Sequence, residues 1–174
     1  IDILNYKFEI HLNDTSDIIY GSADIALNIK DSEDRVRLDL ISQGKDGMGM
    51  EVKKVTFNGS EVSYSHDNDV LLIETGVLEY SSRDIINVVY SGMPITGLII
   101  GPNMHGDGTF FSDNWPNKAR NWLPLVDHPY DKSTAEFIII APNHYQVISN
   151  GLLVEETNLN KELKKYGREL RLLP

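Results

Sequence analysis

The residues of this chain best equipped for chemistry crowd into one stretch. From Phe110 to Pro142, "FFSDNWPNKARNWLPLVDHPYDKSTAEFIIIAP" holds both tryptophans, four of the seven prolines and a cluster of Asp, Asn, Arg and His. A connection that only joined two strands would favour Gly, Ser and Asn. A Trp flanked by Asp, Asn and Pro suits an interface or a cationic ligand. Its ring buries apolar area, and its face attracts an ammonium group. Asp113 and Trp115 are therefore the candidate ligand-facing pair. Trp115 reads equally as a pocket wall or interface residue and as simple loop packing. Arg120 and Asp127 have a different reading. A guanidinium near a Pro-bounded carboxylate turn is suited to bidentate pairing that locks a long loop, which makes this pair structural. Trp122 alternates inward with Pro124 and reads as core.

Elsewhere the usual catalytic patterns are missing. There is no H-E-x-x-H, no G-x-S-x-G and no phosphate-cradling glycine loop. The chain has no Cys, which removes disulfides, thiol nucleophiles and thiolate metal sites. Its five histidines (His11, His66, His105, His128 and His144) are scattered. Tetrahedral zinc takes about four His, Cys or carboxylate ligands. The expectation is no catalytic residue and no metal site in this chain. "HGDG" at His105 reads as a glycine turn rather than a metal loop. His128, between Asp127 and Pro129, reads as a hydrogen-bonded turn residue rather than a general base. Glu155 and Glu156 are adjacent, so a strand would point them to opposite faces.

The totals bound the rest. The 174 residues suffice for one domain with a proper core, and hydrophobic content of 41% against 24% charged is that of a folded soluble protein. A net charge of −10 argues against nucleic acid and against anionic membrane surfaces. No apolar run approaches the roughly 20 residues of a membrane-spanning helix. The chain begins at Ile1 rather than Met, which reads as a fragment or processed form. Localisation is unknown on this reading.

The elements that must hold the elbow read as strands. Tyr6, Phe8, Ile10 and Leu12 alternate with Lys7, Glu9, His11 and Asn13, at period two. Ala23, Ile25, Leu27 and Ile29 do the same, as do Val36, Leu38 and Leu40. In "MEVKKVTFNG" two lysines break the alternation, predicting a bulge. Asn58-Gly59 is a hairpin turn signal. "VLLIET" and "DIINVVYSG" supply two strands, and "STAEFIIIAP" and "HYQVISNG" two more after the elbow. Eight or more short strands with Gly, Asn and Asp at the joints predict an all-β protein, an antiparallel β-sandwich forming one domain over residues 1–174. Only "NLNKELKKYG" has helical spacing, and a polar hairpin reads it equally well.

At this point a resemblance carries further. "KARNWLPLVDHPYDKSTAEFIIIAPNHYQVISNG" resembles the signature segment of the N-terminal domain in the aminopeptidase N family of zinc metallopeptidases, which includes leukotriene-type hydrolases. The matching positions are Ala119-Arg120, Trp122, Pro124, Asp127 with Pro129, Lys132, Phe137 to Pro142 and Ser149-Asn150-Gly151. Upstream, "YKFEIHL", "GSADIALNI", "RVRLDL" and "VKKVTFNG" resemble that domain's opening strands in order.

The resemblance implies a saddle-shaped β-sandwich packed against a separate zinc-bearing catalytic domain of the same chain, with a peptide as substrate. It places zinc in that other domain and none in this segment. It also implies that positions Asp113 and Trp115 face the substrate's amino end, where the family carries Gln-x-Gln or Gln-x-Glu. Trp115 departs from that pattern, because an indole N–H only donates. Amine recognition then falls to Asp113, and Trp115 walls the first side-chain pocket. Leu125 stands where the family has Cys. The rival readings are a stand-alone peptide- or carbohydrate-binding module using the "DNWPN" loop, and a parent that has lost its zinc motif.

Overall fold

A computed structural model describes residues 1–30, 33–78, 81–128, 130, 132–158 and 168–173. In chain order its strands are β1 (Asp2–His11), β2 (Ile19–Ile29), β3 (Glu33–Asp39), β4 (Gly49–Phe57), β5 (Ser60–Glu61), β6 (Tyr64–Asp67) and β7 (Val70–Leu78). They continue with β8 (Ser81–Met93), β9 (Leu98–Pro102), β10 (Gly108–Ser112), β11 (Thr134–Ala141), β12 (Leu152–Asn158) and β13 (Arg168–Leu173). One 3-10 turn, Ala119–Asn121, interrupts them inside the elbow. The "NLNKELKKYG" segment lies outside the described residues from 159 onward.

Period-two patterning decides which face each strand buries. Tyr6, Phe8 and Ile10 of β1, Ile19, Ala23, Ile25, Leu27 and Ile29 of β2 and Ile86, Val88 and Tyr90 of β8 point into one core. Val36 and Leu38 of β3, Leu40 just beyond it, and Leu71 and Ile73 of β7 join the same cluster from the opposite layer. Each such Leu or Ile contributes about 1.5–3 kcal/mol by leaving water. The result is an all-β sandwich. An eight-stranded sheet, ordered β12-β13-β11-β1-β2-β8-β4-β5, packs against a three-stranded sheet, β3-β7-β6, with β9 and β10 as a separate ribbon.

Local signals are realised where they were strongest. Asn58 and Gly59 both take positive φ, 48° and 82°, as the tight hairpin between β4 and β5 demands. The β4–β8 register shifts between Val52 and Lys54, at the lysine pair.

Three features depart from the sequence reading. The sheet is not wholly antiparallel, since β1 and β11 run parallel from Asn5↔Thr134 to His11↔Ile140. Two strands so far apart in the chain are not bound by hairpin geometry. The strand predicted for "HYQVISNG" starts only at Leu152. Before it, the Tyr145 N–H closes a turn on the Pro142 carbonyl, and the Tyr145 ring packs edge-on against Phe110. With these contacts made, 142–151 lies outside any sheet. Conversely, the β9–β10 ribbon was not anticipated.

Tyr90 offers a test of the core. Its ring lies directly over Gly21 of the neighbouring strand, where a Cβ would fall 2.2 Å from Tyr90 Cζ. Its hydroxyl is buried with no partner among the described residues. Burial alone pushes its pKa up. An unmade buried hydrogen bond costs about 1–3 kcal/mol. Tyr90→Phe keeps the ring and removes that cost, so the thermal midpoint should rise by about 2–12 °C at this chain size. A fall in Tm would show that the hydroxyl is satisfied.

Candidate functional site

The elbow leaves β10 at Ser112 and is pinned at once. The Asp113 N–H donates to the Gly97 carbonyl at 2.8 Å, and Gly97 sits at φ +80°. Its Cα is packed so closely that a Cβ would stand 2.4 Å from the Lys118 carbonyl oxygen. The Lys118 N–H donates to Asn114 O at 3.0 Å, closing the loop that contains Trp115. Beneath it, the Trp122 indole N–H donates to Asn114 Oδ1 at 3.0 Å. Asn121, itself buried, donates its side-chain amide to the Lys118 carbonyl. Trp122 is core as expected, stacked on Phe137, which in turn packs against Phe8. The loop that looks like a surface excursion is therefore stitched to the hydrophobic core from below.

On that platform Asp113 and Trp115 face outward. The Trp115 side chain is 81% exposed. Asp113 Oδ1 accepts the Trp115 N–H at 3.3 Å, and Oδ2 accepts Lys118 Nζ at 2.8 Å. The Lys118 hydrogen bond, then the Trp115 amide, then the Lys118 charge hold the Asp113 carboxyl below the usual carboxylate range. An ionised carboxylate thus lies two residues from an exposed tryptophan and is tied to that residue's backbone N–H. Sequence reading missed Lys118, which sits five residues on, across a turn containing Pro116. A proline between two opposite charges that close was the available signal.

The second pair is joined by a third member. Arg120 Nε donates to Asp127 Oδ2 at 3.1 Å, and Nη2 reaches the Asp127 carbonyl at 3.2 Å. Nη2 also lies 3.5 Å from Asp39 Oδ2, which accepts the Asp127 N–H. Arg120 therefore forks between two carboxylates and does not grip one bidentately as expected. The reason is local: Asp127 Oδ2 also receives Arg120's own backbone N–H. The side chains are partly shielded, at 27% exposure for Arg120, 11% for Asp127 and 16% for Asp39. Backbone bonds Asp39 N→Leu125 O, Leu125 N→Asp39 O and Ile41 N→Arg120 O extend β3 of the small sheet onto the elbow. Tyr6 of β1 adds its hydroxyl as acceptor for the Val126 N–H. Asp39 ends the polar face of its strand, where pattern alone assigns it to solvent.

His105 and His128 lie in turns, while His11 and His66 lie in strands. His128 is exposed, accepts the Tyr130 N–H on Nδ1 and stacks on that ring. His105 lies in a loop where Asn103 Oδ1 accepts two backbone N–H groups and Gly106 takes φ +90°. Among the described residues no group of three or more His, Asp or Glu is placed to hold a metal ion.

Next to the elbow the inner face of β11 is left partly open. A groove of about 670 Å³, lined by Phe110, Phe137, Ile139, Trp122 and the 145–151 segment, reaches Ser112 and Asn114. Tyr145 closes one end, and its hydrogen bond to Asp14, with burial second, pushes its hydroxyl pKa up to about 12.

With this geometry in place, comparison with known proteins defines the class. The family model of the Peptidase M1 N-terminal domain matches residues 3–168, and the chain belongs to this family. It is 26% identical over 118 residues to the leucyl aminopeptidase of Saccharolobus solfataricus, covering 66% of this chain and 14% of that protein. Among solved structures it superposes on the M1 zinc metallopeptidase of Deinococcus radiodurans with a TM-score of 0.81 at 19% identity. That match covers 99% of this chain and 38% of the other. A variant of the Deinococcus enzyme bound to a Tyr-Ser-Ala substrate gives a TM-score of 0.80 at 21% identity, with the same coverage. Native yeast LTA4 hydrolase gives 0.74 at 20% identity, over 99% of this chain and 26% of the hydrolase. The chain therefore spans well under half the length of the relatives it matches. The Deinococcus enzyme is a zinc metallopeptidase by name, but the donor set of the described residues here does not fit a zinc site.

Proposed function

We propose that this chain is the non-catalytic N-terminal β-domain of a zinc-dependent aminopeptidase, flanking an active site carried by a separate catalytic domain. In this reading zinc belongs to that other domain, the whole of 1–174 acts as one domain, and its partners are the catalytic domain and a peptide. The elbow residues Asp113 and Trp115 face the peptide's amino end. Asp113 supplies negative charge to the α-ammonium, and Trp115 lines the space for the first side chain. Arg120 and Asp127 hold the elbow rigid. The observation that carries this reading is an ionised Asp113 beside an 81%-exposed Trp115, on a loop anchored into the core.

Kinetics on the peptidase that carries this domain test it. Asp113→Asn should lower kcat/KM for free-amine peptides by about two- to five-fold, as loss of an exposed charge contact does. Trp115→Ala should mainly change the ranking of substrates by first residue. Unchanged kcat/KM and ranking in two folded variants would overturn the assignment. Binding of amine-blocked and free-amine peptides to the chain alone with equal affinity would favour the stand-alone module instead.

A further inference from the structure

Lys118 contributes one polar side-chain contact to this surface, the 2.8 Å bond from its ammonium to Asp113 Oδ2. Its backbone is fixed on both sides, by Asn114 through the N–H and by Asn121 through the carbonyl. The stem therefore starts from a set point and delivers the charge to one oxygen. The other oxygen is already engaged by the Trp115 N–H. Oδ2 is thus the atom on which a ligand cation would settle, and a lysine ammonium holds it. Lysine and a peptide's α-amino group present the same chemistry, a compact cation with three donors and no acceptor. Both partners of the pair are solvated, at 36% and 46% side-chain exposure, so the bond is open to exchange.

We propose that Lys118 is a tethered internal competitor for Asp113, a specificity-determining residue whose ammonium an incoming peptide ammonium must displace or share. The inference rests on the reading of Asp113 as the amine-facing residue. Two consequences follow from charge alone. Like charges sharing one carboxylate repel, so Lys118 weakens ground-state capture of the amine. It also fixes the orientation of the carboxylate in the absence of ligand through the 2.8 Å bond to Oδ2, and holds the Asp113 carboxyl below the usual carboxylate range.

The experiment measures kcat and KM for leucyl-p-nitroanilide on the full peptidase carrying this chain, in wild type, Lys118→Met, Lys118→Arg, Asp113→Asn and the Lys118→Met/Asp113→Asn double variant. Removing an exposed competing charge should lower KM by about two- to five-fold with kcat unchanged. Lys118→Arg should behave as wild type, and Lys118→Met should have no effect once Asp113 is Asn. The thermal midpoint of each variant verifies folding. If Asp113→Asn raises KM but Lys118→Met leaves it unchanged or raises it, the competition is overturned while the Asp113 reading survives. If neither variant moves KM, the Asp113 reading fails and takes the proposal with it.

Discussion

Asp127→Ala should lower the thermal midpoint of this chain by about 4–12 °C, the equivalent of roughly 2–3 kcal/mol at this size. Asp127 makes four connections at once, one of them its carbonyl accepting Arg120 Nη2. Its Oδ2 accepts both the Arg120 side chain and the Arg120 backbone N–H, and its own N–H reaches Asp39. Removing one partner of a buried pair costs about 3–5 kcal/mol, because the other charge is stranded. Here the cost falls below that range for a structural reason: Asp39 stays 3.5 Å from the guanidinium and keeps it paired. Asp39→Asn alone should be milder, because Asp127 keeps the guanidinium paired at 3.1 Å. Combining Asp39→Asn with Asp127→Ala leaves Arg120 with no carboxylate from either, and the double loss should exceed the sum of the singles. Calorimetry on the three variants measures this directly. A midpoint within about 1 °C of wild type for Asp127→Ala would show that the triad does not hold the elbow. Strict additivity would show that Asp39 is not the substitute.

How much of this was legible depended on the range of each interaction. The strands were readable because their inward residues are uniformly apolar, as Ala23, Ile25, Leu27 and Ile29 are, and all four are buried. The family signature was readable because it lies in a continuous stretch, from Ala119 to Gly151. The pairing of β1 with β11 was not, since no residue of Tyr6–His11 names a partner across the whole of the intervening chain. Asp39 was hidden for the same reason. Its pattern marks it as a solvent-facing strand residue, and only the folded arrangement brings Leu125 and Arg120 alongside. Lys118 was missed differently: both it and Asp113 were in view, but their meeting depends on how the turn between them closes. Tyr145 shows the converse error. Its sequence neighbourhood suits a strand, yet Asp14 and Phe110, both distant in the chain, claim its side chain. Sheet existence was thus a local property here, while the Asp39 tie to the elbow and the Tyr145 contact with Phe110 are long-range.

Gly97→Ala is expected to have the second large effect, and it isolates the contact between the elbow and the sandwich. Gly97 carries two separate constraints. Its φ of +80° lies in the left-handed region, where an alanine costs about 1–2 kcal/mol. In addition, a Cβ would sit 2.4 Å from the Lys118 carbonyl oxygen and 3.2 Å from Trp122 Cδ1. The carbonyl is backbone and cannot rotate aside, so the elbow must lift, adding roughly 1–3 kcal/mol. Together these predict a fall in Tm of roughly 4–20 °C. The chain supplies its own control. Gly47 has a φ of +81° with nothing within 4 Å of an added Cβ, so Gly47→Ala bears the backbone cost alone. The excess loss in Gly97→Ala over Gly47→Ala is then the cost of moving the elbow. Fluorescence gives a second reading, because both tryptophans lie in the elbow and only Trp122 is buried. Gly97→Ala should shift emission to the red below the transition, as Trp122 gains water, and Gly47→Ala should leave it unchanged. Equal midpoints and equal spectra in the two variants would mean that the elbow does not lean on Gly97, and the rigid platform beneath Asp113 and Trp115 would lose its main support.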